Sequence, residues 1–333
     1  MTFEKAVEIL DTELNADDEF DYVEIAFHGG EPLLEYELLH NICEYVWAHS
    51  YKHNYYFFAT TNGTQLTDAM KQWFSENSYR IMLGLSLDGT PLVHNHNRSN
   101  SYSKIDFDFY IKHWPQQPVK MTISDFTVNY LSSSIQHIHE LGFQVTANFA
   151  FGIDWSSTNL DRLDAELANL VEYYLQHPEL EVCSLLNQSF QNIGAHFQRW
   201  CGAGTSMRVY DVDGKLFPCH FFQGFAIGDE KSKASESIDF RDDRLFINNT
   251  CKECVLLPMC PTCYGFNFAS TGDIAKRDEG ICELTKHCVL AASYLAYQRL
   301  KQQDNDQLHI SDEIRSAMMH GIYEVQRYFA DRV

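Results

Sequence analysis

The sequence predicts an α/β fold built on a parallel sheet, followed by a cysteine-rich metal-binding region. Two observations carry this. Strand-like and helix-like runs alternate through the first half of the chain, and Cys201, Cys219, Cys251, Cys254, Cys260, Cys263 and Cys282 all follow residue 200. Alternation at this rhythm lays successive strands side by side with crossover helices between them, in a sheet that is either open or curved into a barrel.

The strand candidates are 22–28, 55–61, 81–87, 119–124 and 143–149, each rich in β-branched or aromatic residues. Between them, 36–50, 68–77, 102–114 and 132–141 carry apolar residues at three- and four-residue spacing, the pattern of an amphipathic helix. In the first of these, Leu38, Leu39, Ile42, Val46 and Trp47 share a face. Gly142 is placed to end the fourth helix ahead of the fifth strand. Helical periodicity returns over 160–176, 283–303 and 311–333, whereas 228–244 is polar, charged and weakly patterned and predicts a surface loop. No internal repeat is present.

Composition narrows the function. The 333 residues, 45% hydrophobic and 14% aromatic, suffice for one large core or two smaller ones. Charges interrupt every apolar stretch short of the ~18 residues that span a bilayer. With no apolar N-terminal export run, a cytoplasmic protein is expected and a disulfide framework is disfavoured. The formal charge of −21 argues against nucleic acid as a partner. It favours, electrostatically, a basic peptide.

The run Cys251-Lys-Glu-Cys254 and the pair Cys260 and Cys263 form two Cys-x-x-Cys turns separated by five residues. Such turns converge two sulfurs on one centre, and soft thiolates suit iron or zinc rather than magnesium or calcium. A zinc ribbon uses the same pairs, so the metal stays open at this point. Cys43, beside Ile42 and Val46, and Cys183 read as small core residues.

Three glycine-containing turns fall directly after strand candidates: Gly29-Gly30-Glu31-Pro32, Thr61-Asn62-Gly63-Thr64 and Ser86-Leu87-Asp88-Gly89. In parallel α/β folds the carboxyl ends of strands form the ligand face, so these turns converge on one pocket. Glu31 offers an acceptor for an ammonium group, Ser86 and Asp88 suit hydroxyls, and Arg98 suits a carboxylate. His94 and His96 read as loop residues near that pocket rather than as metal ligands.

The run from Ile25 to Leu34, containing Gly29-Gly30-Glu31-Pro32, resembles the GGEP motif of radical S-adenosylmethionine enzymes. The cysteine series resembles the SPASM domain of their peptide-modifying branch. That branch has Cys, nine to fifteen residues, Gly, four residues, Cys, then Cys-x2-Cys-x5-Cys-x3-Cys and a last Cys. Here Cys201 is followed after twelve residues by Gly214, then Cys219, Cys251, Cys254, Cys260, Cys263 and Cys282, with the Cys260–Cys263 gap one residue short.

The resemblance implies a partial (β/α) TIM-like barrel over 1–190, lacking its first strand and cluster loop. A SPASM-type iron–sulfur domain would follow over 191–290, with a helical tail over 291–333. It implies that Gly29, Gly30, Glu31, Pro32 and Asn62 line the S-adenosylmethionine site, with Ser86 and Asp88 near the ribose and Arg98 near the carboxylate. It implies two auxiliary four-iron–four-sulfur clusters, one on Cys251, Cys254, Cys260 and Cys282, the other on Cys201, Cys219 and Cys263. Some relatives supply a further Cys where Met207 stands, and Cys288 is a spare candidate for that place. His220 replaces the Asp that serves as base in sulfatase-maturing relatives, which disfavours sulfatase maturation and leaves His220 as a possible base. A peptide or protein substrate and a reducing electron donor are the implied partners.

The family's radical chemistry also needs a cluster held by Cys-x3-Cys-x2-Cys in the loop after the first barrel strand. Before Cys183 the chain has only Cys43, and Met1 coincides with the start of the first crossover helix in relatives. A catalytic cluster is therefore expected only with an upstream segment, and a catalytically silent iron–sulfur or zinc module that binds peptide is the alternative.

Overall fold

A computed structural model describes residues 1–158 and 160–330. Its contacts divide the chain into two compact units. One comprises Met1–Ile123, Ser133–Asn148 and Asp211–Lys215, the other Ser124–Ser132, Phe149–Tyr210 and Leu216–Val333.

The first unit opens with helix α1 (Phe3–Leu14), capped by the Thr2 hydroxyl, which accepts from the Lys5 amide. Strand β1 (Tyr22–Phe27), α2 (Tyr36–Trp47), β2 (Asn54–Thr61), α3 (Asp68–Asn77) and β3 (Ile81–Leu85) follow as repeated β–α units. Next come α4 (Pro91–Asn97), α5 (Phe107–His113), β4 (Val119–Ile123), α6 (Leu131–Glu140) and β5 (Val145–Phe149). β1, β2 and β3 pair in parallel in that order, with Phe27 opposite Ala59 and Thr61 opposite Leu85. A parallel bridge from Ser86 to Lys120 links β3 to β4, and β4 pairs with β5.

One face of this sheet is apolar. Phe57, Ala59, Ile81, Leu83, Leu85, Val119, Met121, Ile123, Val145 and Ala147 are buried, as are Leu39, Ile42, Cys43 and Val46 of α2 and Phe74 of α3. Each such Leu, Ile or Phe contributes roughly 1.5–3 kcal/mol by leaving water. The other face is mixed, with Glu24, Tyr56 and Thr60 beside Ala26, Phe58 and Met82. Glu24 accepts from the Tyr56 hydroxyl, and the Lys120 Nζ donates to Thr60 Oγ1 at 2.8 Å while lying 4.5 Å from the Phe58 ring centroid.

The second unit holds α7 (Leu160–Gln176), a short hairpin of β6 (Val209–Tyr210) and β7 (Leu216–Phe217), and α8 (Asp229–Ser235). It ends in α9 (Tyr264–Thr271), α10 (Glu279–Gln302) and α11 (Asp312–Phe329). Its aromatic core gathers Phe217, Phe222, Phe240, Phe246, Tyr264 and Phe268, with Cys219 among them. Edge-on ring pairs such as Phe246 with Tyr264, centroids 4.9 Å apart, order this core beyond simple burial.

Several expectations shift. The segment 228–244 is not a plain surface loop: α8 occupies its first half, Ser232 and Ser235 are buried, and the Ser232 hydroxyl donates to the Phe222 carbonyl. The helix expected over 102–114 breaks, because the Asp106 side chain caps α5 by accepting from the Phe109 amide. α10 runs unbroken from Glu279 to Gln302, over the helix expected at 283–303. The last three residues of the predicted final helix lie outside the described residues. No described helix is long and apolar enough to cross a membrane.

Candidate functional site

The three turns named from sequence stand at the ends of β1, β2 and β3, and Glu31 ties two of them together. Its Oε1 accepts from the Thr61 hydroxyl at 2.7 Å and the Leu33 amide at 3.2 Å, and its Oε2 accepts from the Asn62 amide at 2.8 Å. Pro32 opens the single helical turn that Glu31 caps. Asn62 closes its own turn by accepting from the amide and hydroxyl of Thr64. Gly63 is required by the fold, since its φ is +76° and a Cβ there would meet Leu85 at 2.8 Å. Gly29 and Gly30 are not: neither has a positive φ, and an added Cβ would meet nothing within 4 Å. The glycines of this turn thus border open space beside a carboxylate.

At the third turn Ser86 is buried and hydrogen-bonds through its amide to the Thr61 carbonyl at 2.9 Å. Asp88, 1% exposed, accepts from Arg98 in a two-point pair, Nε to Oδ2 at 2.7 Å and one Nη to Oδ1 at 3.0 Å, and from the Thr122 amide at 2.9 Å. Asp88 therefore fixes the direction of the Arg98 guanidinium, a role its sequence position did not reveal. His94 supports the same turn from α4: its Nδ1 accepts from the Asp88 amide at 3.3 Å, and its Nε2 lies 3.0 Å from the Ser101 hydroxyl. It is a satisfied core side chain on α4, where both His94 and His96 lie, and not the loop residue expected.

Burial pulls the His94 imidazole down to about 4, with the nearby Asp88 carboxylate opposing and the Arg98 guanidinium assisting. A histidine held neutral in the fold stabilises fully above its unfolded value near 6.5 and loses that contribution as pH falls toward 4. The shift corresponds to about 3 kcal/mol. Urea unfolding of the native chain and His94→Gln from pH 7 to pH 4 should show a steeper acid loss in the native chain; parallel curves would refute the assignment.

The seven cysteines separate into two groups in the second unit. Cys219 lies within electrostatic reach of Cys263 and Cys201, and Cys263 of Cys201. Cys260 lies within reach of Cys282, Cys254 and Cys251, and Cys282 of Cys254 and Cys251. Local structure places them: Cys263 caps α9, Cys282 sits in the first turns of α10, and Cys219 follows β7 inside the aromatic core. Burial pushes the Cys219 thiol up to about 12, with Cys263 and Cys201 adding to it. Burial likewise pushes Cys260 up to about 11. Burial raises the Cys43 and Cys288 thiols as well, so the shift marks an apolar setting and does not by itself mark a metal site.

Among the described residues no group of three or more His, Cys, Asp or Glu closes around the position of a single ion. A four-iron cluster takes its thiolates at the periphery of a larger body, so this bears on a single ion and not on a cluster.

The remaining candidates fall elsewhere. Met207 is partly exposed and its amide donates to the Gly202 carbonyl, closing the turn that follows Cys201. Cys288 is buried beside Cys183 on α10 and does not join the three-cysteine group. His220 is half-buried directly after Cys219, its ring 5.0 Å from that of Phe221. Thr122 and Lys120 were not singled out from sequence, because nothing but the parallel register brings them to the strand-end turns.

No protein-family model matches the chain. Over 128 residues it is 27% identical to a cysteine-type anaerobic sulfatase-maturating enzyme of Clostridium perfringens strain 13, an alignment covering 36% of this chain and 34% of that protein. The chain thus matches about a third of the length of its curated relatives. Among solved structures it is similar to a hexahistidine-tagged anSMEcpe with bound AdoMet, at TM-score 0.69 and 19% identity, covering 96% of this chain and 90% of that one. It is also similar to native anSMEcpe with bound AdoMet and Cp18Cys peptide, at TM-score 0.67 and 19% identity, covering 93% and 92%. The chain shares the α/β fold of these structures over more than nine-tenths of its length.

Proposed function

We propose that this chain is a radical S-adenosylmethionine enzyme that oxidises or cross-links a side chain of a ribosomally made peptide or protein. The observation that carries the reading is the open Gly29-Gly30 turn beside Glu31 at the strand ends of this fold. S-adenosylmethionine would sit there. Glu31 has about four acceptor positions and three are occupied within the protein, which leaves one for a methionyl ammonium. Arg98 has five N–H donors, two of them held by Asp88, and the rest suit the methionyl carboxylate. Ser86 and Asp88 lie at the turn assigned to the ribose. When bound, S-adenosylmethionine supplies the hydrogen-abstracting radical; the chain's residues bind and orient it.

The two cysteine groups would hold auxiliary four-iron clusters that accept an electron or anchor substrate, and His220 beside Cys219 would take a proton. His220 in place of an Asp argues for a peptide substrate other than a sulfatase. A second reading rests on the 333 residues containing no Cys-x3-Cys-x2-Cys: an iron–sulfur or zinc module that binds peptide without radical chemistry.

Anaerobic reconstitution tests both. Two clusters correspond to about eight irons per chain, and S-adenosylmethionine should be retained in equilibrium dialysis. Formation of 5′-deoxyadenosine under dithionite by a form extended upstream with a Cys-x3-Cys-x2-Cys segment selects the enzyme; retention without cleavage even in that form selects the binding module. A chain that takes up zinc alone and no S-adenosylmethionine would defeat the proposal.

A further inference from the structure

Lys120 crosses the open face of the sheet toward the strand-end turns. Its backbone stands near the start of β4, bridged to Ser86, while its Nζ donates to Thr60 Oγ1 of β2 at 2.8 Å. β3 runs between those two strands, and the residue it sets beside Thr60 is Gly84, so no side chain stands in the way. The Phe58 ring leans into the same gap. A Cβ on Gly84 would meet its Cζ at 2.9 Å, and the Lys120 Nζ lies 4.5 Å from its centroid. The trough so formed opens toward the first turn, because His28, directly before Gly29, feels the Lys120 charge.

The ammonium is short of partners. Thr60 takes one of its three N–H donors, and among the described residues no carboxylate comes within ion-pair distance. Glu24, the carboxylate whose charge it does feel, accepts from the Tyr56 hydroxyl. The side chain is exposed along the open face, yet surrounding protein desolvates it enough to lower its pKa, with Glu24 opposing. A cation so placed gains more from a carboxylate than one in bulk water, because the effective dielectric is lower. The stem lying on Phe58 and the bond to Thr60 also fix the head in position before any ligand arrives. We propose that Lys120 is a specificity residue that binds a substrate carboxylate, an Asp or Glu side chain of the peptide laid in the trough over Gly84. This rests on the proposed S-adenosylmethionine site, where Arg98 is already assigned to the methionyl carboxylate and Lys120 is left for the substrate. The net charge of −21 acts on long-range approach of a peptide, whereas the trough reads one residue of it.

The test uses the full chain with S-adenosylmethionine added. Its lysines are acetylated with dilute acetic anhydride and mapped by mass spectrometry, alone or with blocked pentapeptides Gly-Gly-Asp-Gly-Gly or Gly-Gly-Asn-Gly-Gly at equal millimolar concentration. The Asp peptide should slow labelling of Lys120 about threefold, the Asn peptide should not, and Lys71 and Lys231 should be unaffected by either. Lys120→Met keeps the stem over Phe58 and loses only the charge. It should weaken binding of the Asp peptide about tenfold in equilibrium dialysis while S-adenosylmethionine retention and the melting temperature hold. Equal protection by both peptides, protection by neither, or unchanged Asp-peptide binding in Lys120→Met overturns the inference and leaves the cofactor reading intact. Loss of S-adenosylmethionine retention in Lys120→Met would assign the lysine to the cofactor carboxylate and equally overturn it. A native chain that retains no S-adenosylmethionine defeats the reading beneath, and the inference with it.

Discussion

Replacing Cys254 with serine should remove about half of the bound iron and leave the other half in place, and Cys219→Ser should remove the complementary half. The expectation follows from segregation: Cys219 feels only Cys263 and Cys201, whereas Cys260 and Cys282 each feel Cys254 and Cys251. Neither substitution should unfold the unit, because its aromatic core packs on its own side chains as well as on Cys219. Ligands that exist as a set only in the folded chain still couple loading to stability. A melting temperature lower by on the order of 10 °C is expected for each variant, equivalent to a few kcal/mol in a domain of this size. Loading should also release protons. In the metal-free chain the raised thiols stabilise fully below pH 9 and lose that contribution as pH rises through about 11 to 12. Metal uptake runs the opposite way and weakens in acid. Iron, sulfide and differential scanning calorimetry on the two variants check the argument; loss of all iron from either one would show that the groups are a single site.

Much of this arrangement was legible in sequence because backbone patterning and cysteine spacing are local. Strands expected at 22–28 and 119–124 form at Tyr22–Phe27 and Val119–Ile123, and the helix expected at 68–77 forms at Asp68–Asn77. The illegible parts depend on tertiary partners. The polar run of α8 hides a helix because the residues it buries, Ser232 and Ser235, are small hydroxyls and carry no hydrophobic period. The break before α5 depends on Asp106 choosing the Phe109 amide over a continued helix, which spacing alone does not reveal. Sequence periodicity does not single out helix α1, though Thr2 is a good cap, since its buried face is limited to Ala6 and Leu14. At the site, Arg98 and Asp88 were both named, but their pairing was not, because it requires α4 to turn back onto the end of β3.

Gly30→Val should lower affinity for S-adenosylmethionine at least tenfold, about 1.4 kcal/mol, while leaving the melting temperature within about 1 °C. The separation of the two effects is the point of the experiment. An ordinary glycine in a turn is kept for its backbone, as at Gly63, where both the positive φ and the contact with Leu85 forbid a side chain. At Gly30 neither constraint exists, so valine is accommodated by the fold and excluded only by whatever occupies the open space. Glu31→Ala is the contrasting case. It strips an acceptor from Thr61, Asn62 and Leu33 together, leaving donors at two strand ends unpaired, so it should cost about 2–4 kcal/mol of stability along with binding. Equilibrium dialysis beside thermal melts reads both variants. If Gly30→Val binds S-adenosylmethionine as well as the native chain, the cofactor does not lie against this turn, and the strand-end site must be sought among the residues that Asp88 and Arg98 hold instead.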